Sequence, residues 1–88
     1  MVEQEIIVSN RAGIHARPAA ILVHAIKNYK ANIYFEKDNN RINAKSIMGI
    51  LTLAAAYKTT IKITAEGEDE KEAVETLVRL FQSRFEEK

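Results

Sequence analysis

Thr60-Ile61-Lys62-Ile63-Thr64-Ala65-Glu66-Gly67-Glu68-Asp69-Glu70 changes its period at Gly67. Before the glycine, apolar Ile61 and Ile63 alternate with polar neighbours, which predicts a half-buried strand over Thr60–Glu66. After it, Ala73, Val74, Leu77, Val78, Phe81 and Phe85 recur at helical spacing and form one stripe. Asp69 with Glu72 three residues on reads as a capping-box start to that helix. Acids open it, and Arg79, Arg84 and Lys88 close it, which suits the helix dipole.

The same reading extends upstream. Glu3 to Ser9, around Ile6, Ile7 and Val8, predicts a strand. Ala16 to Asn28 predicts a helix with Ile21, Leu22, Ala25, Ile26 and Tyr29 on its apolar face. Asn32 to Lys37 predicts a strand with Ile33 and Phe35 on one side and Tyr34 on the other. Asp38-Asn39-Asn40 is a turn, because these residues tolerate left-handed backbone angles, and Arg41 to Ala44 closes a hairpin. Ser46 is a good N-cap for the apolar run Ile47-Met48-Gly49-Ile50-Leu51. The order is β-α-β-β-α-β-α, an α+β chain whose simplest packing is a four-stranded, mostly antiparallel sheet with three helices on one face.

The whole sequence, 88 residues long with 47% hydrophobic and 28% charged residues, suits one folded domain over residues 1–88. A chain of this size buries roughly 64% of its extended surface, enough for one core and too little for a deep cleft. It has no cysteine, so disulfides, thiolate metal sites and thiol nucleophiles are excluded. A net charge of +1 gives no general reason to bind nucleic acid or acidic lipid. No apolar run approaches a membrane span and the acidic start lacks a signal-peptide pattern, so a cytoplasmic protein is expected, with no metal and no cofactor.

Gly13-Ile14-His15-Ala16-Arg17-Pro18-Ala19 joins the first strand to the first helix. Gly13 permits a tight turn, and Pro18 fits a first helical turn. His15 then stands at the helix start, where Ala16, Arg17 and Ala19 offer N–H groups to an anion. The Arg17 guanidinium can hold phosphate oxygens. A histidine that accepts and releases phosphate needs exposure, a free ring nitrogen and donors for the group in transit. The competing reading makes His15 a loop histidine that caps the helix. His24 lies about half a circumference round the helix and reads as solvated. Ser46, besides capping, is a plausible phosphorylation target, since a dianion there meets a helix start and Lys45. Part of Ile47, Met48 and Leu51 is expected to stay exposed as a docking patch, with Lys27, Lys45 and Arg17 as its charged rim. The β-α-β-β-α-β portion also fits small RNA-binding modules of the RRM type, although Arg41 to Ala44 lacks the aromatic that such modules stack on bases.

The chain resembles the HPr family, the histidine-containing phosphocarriers of the bacterial phosphoenolpyruvate-dependent phosphotransferase system, over essentially its whole length. Residues 13–19 are similar to the family's active-site motif. Lys45-Ser46-Ile47-Met48-Gly49-Ile50-Leu51 is similar to its regulatory-serine motif, and residues 64–70 to its fourth strand and turn. The resemblance implies an open-faced β-sandwich of four strands and three helices. It implies that Enzyme I phosphorylates His15 on Nδ1 and that the group passes to a histidine of an Enzyme IIA domain. Arg17 and the backbone of Ala16 and Arg17 would steady it. Ile47, Met48 and Leu51 would form the patch both partners use. Nothing in the sequence itself calls for an oligomer, so a monomer is expected. In many relatives the matching serine is modified by HPr kinase/phosphorylase and serves a catabolite-control regulator. Two departures stand out. Ala54 and Lys58 occupy positions where glycine is frequent, and a positive φ at Lys58 would cost on the order of 1 kcal/mol. Asp38-Asn39-Asn40-Arg41 replaces an Asn-Gly-Lys turn. The alanine run also resembles the nitrogen-related, regulatory branch of the family, or its proteobacterial members.

Overall fold

The computed structural model describes residues 1–86. Four strands, β1 (Val2–Ile7), β2 (Asn32–Lys37), β3 (Asn40–Asn43) and β4 (Thr60–Glu66), form one sheet in the order β1-β4-β2-β3. Every neighbouring pair is antiparallel. Helices α1 (Ala16–Ile26), α2 (Ile47–Leu53) and α3 (Glu70–Gln82) cover one face, followed by a 3-10 turn over Arg84–Glu86. This is the open-faced sandwich in four strands and three helices.

The pleat sorts the residues as the alternation predicts. Ile33, Phe35, Ile61, Ile63 and Ala65 are buried against Leu22, Ile26, Ile50, Leu77 and Phe81. The other face carries Glu3, Glu5, Lys62, Glu36 and Arg41. The register sets Glu5 beside Lys62 and Lys62 beside Glu36, and Glu36 pairs with Arg41, so opposite charges alternate across the sheet. Ile7 belongs to this open face and is 61% exposed, although it sits inside the apolar triplet that marks β1. Only Ile6 and Val8 of that triplet point inward. The central strands are β4, which has no aromatic, and β2, whose open-face Tyr34 lies under the Arg41 guanidinium at 4.1 Å. The face thus offers no free stacking platform for bases, which weighs against the RRM-type reading.

The hairpin turn is as expected: Asp38 and Asn39 have φ of 50° and 67°, the pair of left-handed residues that a two-residue hairpin requires. The start of α3 differs. Asp69 makes no side-chain cap bond. Its carboxylate oxygens instead accept the backbone N–H groups of Lys30 and Ala31, each at 2.8 Å. Glu70, not Glu72, reaches back, accepting the Gly67 N–H at 3.1 Å. Asp69 therefore stops α1's run-out and joins it to α3. Gly67 allows the approach, since a Cβ there would lie 2.6 Å from the Ala31 Cα.

The far end of α3 also departs from the helical stripe. The helix stops at Gln82, so Arg84 lies beyond it, and Lys88 lies outside the described residues. Arg84 and Phe85 take left-handed angles, φ 56° and 55°, at roughly 1–2 kcal/mol each. That bend folds Phe85 back into the core, edge-on to Phe81 at 5.2 Å. Burying a phenyl ring contributes about 1.5–3 kcal/mol, which offsets much of the strain.

A prediction follows from Asp69. The Lys30 N–H first, then that of Ala31, holds its carboxyl below the ordinary aspartate range. A lowered folded-state value means that the contribution is fully present above about pH 4 and is lost as pH falls through it. Asp69→Ala should lower the urea midpoint at neutral pH, and the gap to wild type should close in acid. An equal gap at about pH 6 and about pH 3 would refute the assignment.

Candidate functional site

The segment between β1 and α1 is built from backbone bonds. Gly13 has φ of 74°, and a Cβ there would lie 2.8 Å from the Ala55 carbonyl oxygen. That carbonyl accepts the Ile14 N–H at 2.9 Å, and the Ile14 side chain is buried. Ala55 is itself held. The Lys37 ammonium of β2 donates to the carbonyls of Leu53 and Ala54, at 3.1 and 3.4 Å, where α2 ends in a left-handed Ala54. Lys58 does take a positive φ, 71°, and its N–H meets the Val8 carbonyl at 2.8 Å, tying the β4 approach to β1.

His15 emerges from this frame exposed, with extended backbone angles as the N-cap of α1, and its side chain makes no cap bond. His15 thus holds the N-cap position through its backbone alone, and its ring is not spent on the helix. The first intrahelical bond runs from the Ala19 N–H to the His15 carbonyl at 3.0 Å. Ala19 is thereby removed from the expected set of free donors, and Pro18 has no N–H. The donors at the helix start are those of Ala16 and Arg17. The Arg17 side chain is exposed and makes no hydrogen bond or ion pair among the described residues. Imidazole, guanidinium and two amides thus share one helix end, open to a partner and to an anionic group.

Beside it, α2 packs on α1. Ser46 is half-buried and caps α2 through Oγ, which accepts the Gly49 N–H at 3.0 Å. Met48 and Ile47 are 70% and 40% exposed, whereas Leu51 is half-buried against the core, so the apolar patch is narrower than the sequence suggests. Lys27 is exposed, but Lys45 is not a free rim cation. Its half-buried side chain donates to the Tyr29 carbonyl, near the Asp69 carboxylate. Along α1 the exposed row is Arg17, Ala20, His24 and Lys27, which brings His24 onto the same side as the two cations. Asn10, in the loop between β1 and α1, is buried. No local sequence pattern signals it: the usual Asx contact reaches backbone two residues on, whereas Asn10 Nδ2 donates to the Gly13 carbonyl three residues on. Its Oδ1 has no partner among the described residues.

The open-faced sandwich, with α1 starting beside α2, is the fold of small phosphocarrier proteins. The family described as "PTS HPr component phosphorylation site" matches residues 2–83. The phosphocarrier protein HPr of Treponema pallidum (strain Nichols) is 45% identical over 87 residues, 99% of each chain. The crystal structure of HPr from Thermoanaerobacter tengcongensis superposes with a TM-score of 0.96 at 45% identity, covering 100% of this chain and 99% of that one. The Bacillus subtilis catabolite repression protein Crh, a dimer with a swapped domain in its crystal, gives 0.76 at 40% identity over 96% and 97%. The chain belongs to the HPr family of the phosphotransferase system.

Proposed function

We propose that His15 is the phosphoryl acceptor of this chain. Its Nδ1 attacks the phosphorus carried by Enzyme I, which is charged from phosphoenolpyruvate; a P–N bond forms at His15 as the donor's bond breaks. A histidine of an Enzyme IIA domain then takes the group by the same exchange, so nothing is consumed on the carrier. The observation that carries this reading is the exposed, uncapped His15 ring at the start of α1. The Ala16 and Arg17 amides with the Arg17 guanidinium face the charge that spreads over the phosphoryl oxygens in transit. Ile47 and Met48 form the apolar centre of the docking surface, with Arg17 and Lys27 at its rim and Leu51 supporting it from beneath. Incubation with phosphoenolpyruvate and Enzyme I should add one acid-labile phosphoryl group by intact mass spectrometry. Absence of that gain, with an Enzyme I active on a control carrier, would overturn the reading.

Ser46 is the regulatory position in this proposal. Asp is as good an N-cap as Ser, so Ser46→Asp preserves α2 while placing an anion beside Ile47 and Met48. It should raise the KM for Enzyme I by about tenfold with little change in kcat. Unchanged kinetics would remove Ser46 as a switch. Ser46→Ala separates capping from charge: it should cost about 1 kcal/mol of stability and leave KM near wild type.

A further inference from the structure

The loop that delivers His15 contains a polar side chain, 1% exposed, that the reading above does not use: Asn10. Its Nδ2 donates to the Gly13 carbonyl at 2.6 Å, and the Gly13 N–H donates back to the Asn10 carbonyl at 3.1 Å. These two bonds close residues 10–13 into a ring. The peptide between Gly13 and Ile14 is thus held at both polar ends. Asn10 Nδ2 takes its oxygen and the Ala55 carbonyl takes its N–H, at 2.9 Å. The next residue is His15.

We propose that Asn10 is a positioning residue for phosphoryl transfer at His15. Through the Gly13 carbonyl it sets the plane of the Gly13–Ile14 peptide. That plane sets the direction in which the imidazole and the Ala16 and Arg17 amides meet the incoming group. The inference rests on His15 being the acceptor. What Asn10 supplies is a donor at one point, because its Oδ1 has no partner among the described residues. An apolar side chain of similar size would fill the same space and leave the Gly13 carbonyl unheld. An aspartate would set a second oxygen against that carbonyl oxygen. Misplacing a reacting group by a fraction of an ångström slows the chemical step more than it weakens docking, because the apolar centre of the docking surface, Ile47 and Met48, lies on α2.

The test measures transfer from phosphoenolpyruvate-charged Enzyme I to wild type, His15→Ala, Asn10→Leu and Asn10→Asp, with urea unfolding of each. Label on wild type and none on His15→Ala upholds the acceptor reading; any other pattern overturns that reading and this inference with it. Given the expected pattern, Asn10→Leu should show kcat lowered about tenfold, KM within about twofold and cooperative unfolding. In Asn10→Asp a neutral carboxyl can donate O–H to the Gly13 carbonyl and a carboxylate cannot. Its rate relative to wild type should therefore rise severalfold from about pH 8 to about pH 5.5. An unchanged kcat in Asn10→Leu, a loss confined to KM, or a flat ratio in Asn10→Asp overturns the role of Asn10 and leaves His15 as the acceptor. Should Asn10→Leu not fold, the Asn10→Asp ratio decides alone.

Discussion

His15→Ala should take up no phosphoryl group from Enzyme I and should fold as wild type does. The two halves of this result have separate grounds. Loss of transfer is complete because the chain has no second nucleophile in the frame: His24 lies nine residues on along α1, and there is no cysteine. Retention of the fold follows from the backbone. The bonds that shape the segment, Gly13 N–H to Asn10, Ile14 N–H to Ala55 and Ala19 N–H to His15, use main-chain atoms of residue 15 or none of it. The imidazole is exposed and makes no cap bond, so its removal opens no cavity and frees no buried group. Stability should stay within about 0.5 kcal/mol of wild type. Phosphorylation of the variant at the wild-type rate would show that the acceptor is elsewhere. An unfolded variant would show that the ring supports the loop in a way the structure does not record.

The parts of this fold that were legible in the sequence are those specified by neighbours in the chain. Ile61 and Ile63 alternate within β4, and β4 has the predicted bounds. Asp38 and Asn39 bear the left-handed angles themselves. Ser46 caps Gly49 three residues away, as capping geometry requires. Most of the misreadings involve partners far along the chain, although Ala19 is taken by a local bond to the His15 carbonyl. Asp69 has the right local spacing for a capping box, yet it bonds residues 38 and 39 positions away, and no pattern near Asp69 encodes that. Phe85 fits the helical stripe in spacing and reaches the core by a left-handed bend, because periodicity reports which residues are buried and not the path that takes them there. Lys45 looks like a surface cation beside Ser46 until the end of α1 arrives with a carbonyl for it. The same holds for the site. His15, Arg17 and the helix start are local and were readable. Asn10 and the Ala55 carbonyl became part of it only when the loop closed against the segment after α2.

Gly13 is where this closure is most exposed to a single change. Gly13→Ala should both destabilise the protein and impair transfer. Two separate penalties add. A residue with a Cβ at φ 74° costs roughly 1–2 kcal/mol in backbone strain. The new methyl would also stand 2.8 Å from the Ala55 oxygen and 3.2 Å from the Ala56 Cα, both main chain, so no flexible side chain can yield. Relief requires the loop to move away from Ala55, and that stretches the Ile14 N–H bond on which the presentation of His15 depends. The total should be about 2–3 kcal/mol, read as a lowered urea midpoint at unchanged m value. Transfer should fall further than the loss of folded protein explains, in kcat rather than KM, since Ile47, Met48 and Lys27 do not move with the loop. A folded Gly13→Ala variant with wild-type kcat would mean that the approach to Ala55 shapes the loop without aiming the histidine. A variant of wild-type stability would mean that the loop has room which the 2.8 Å contact denies it.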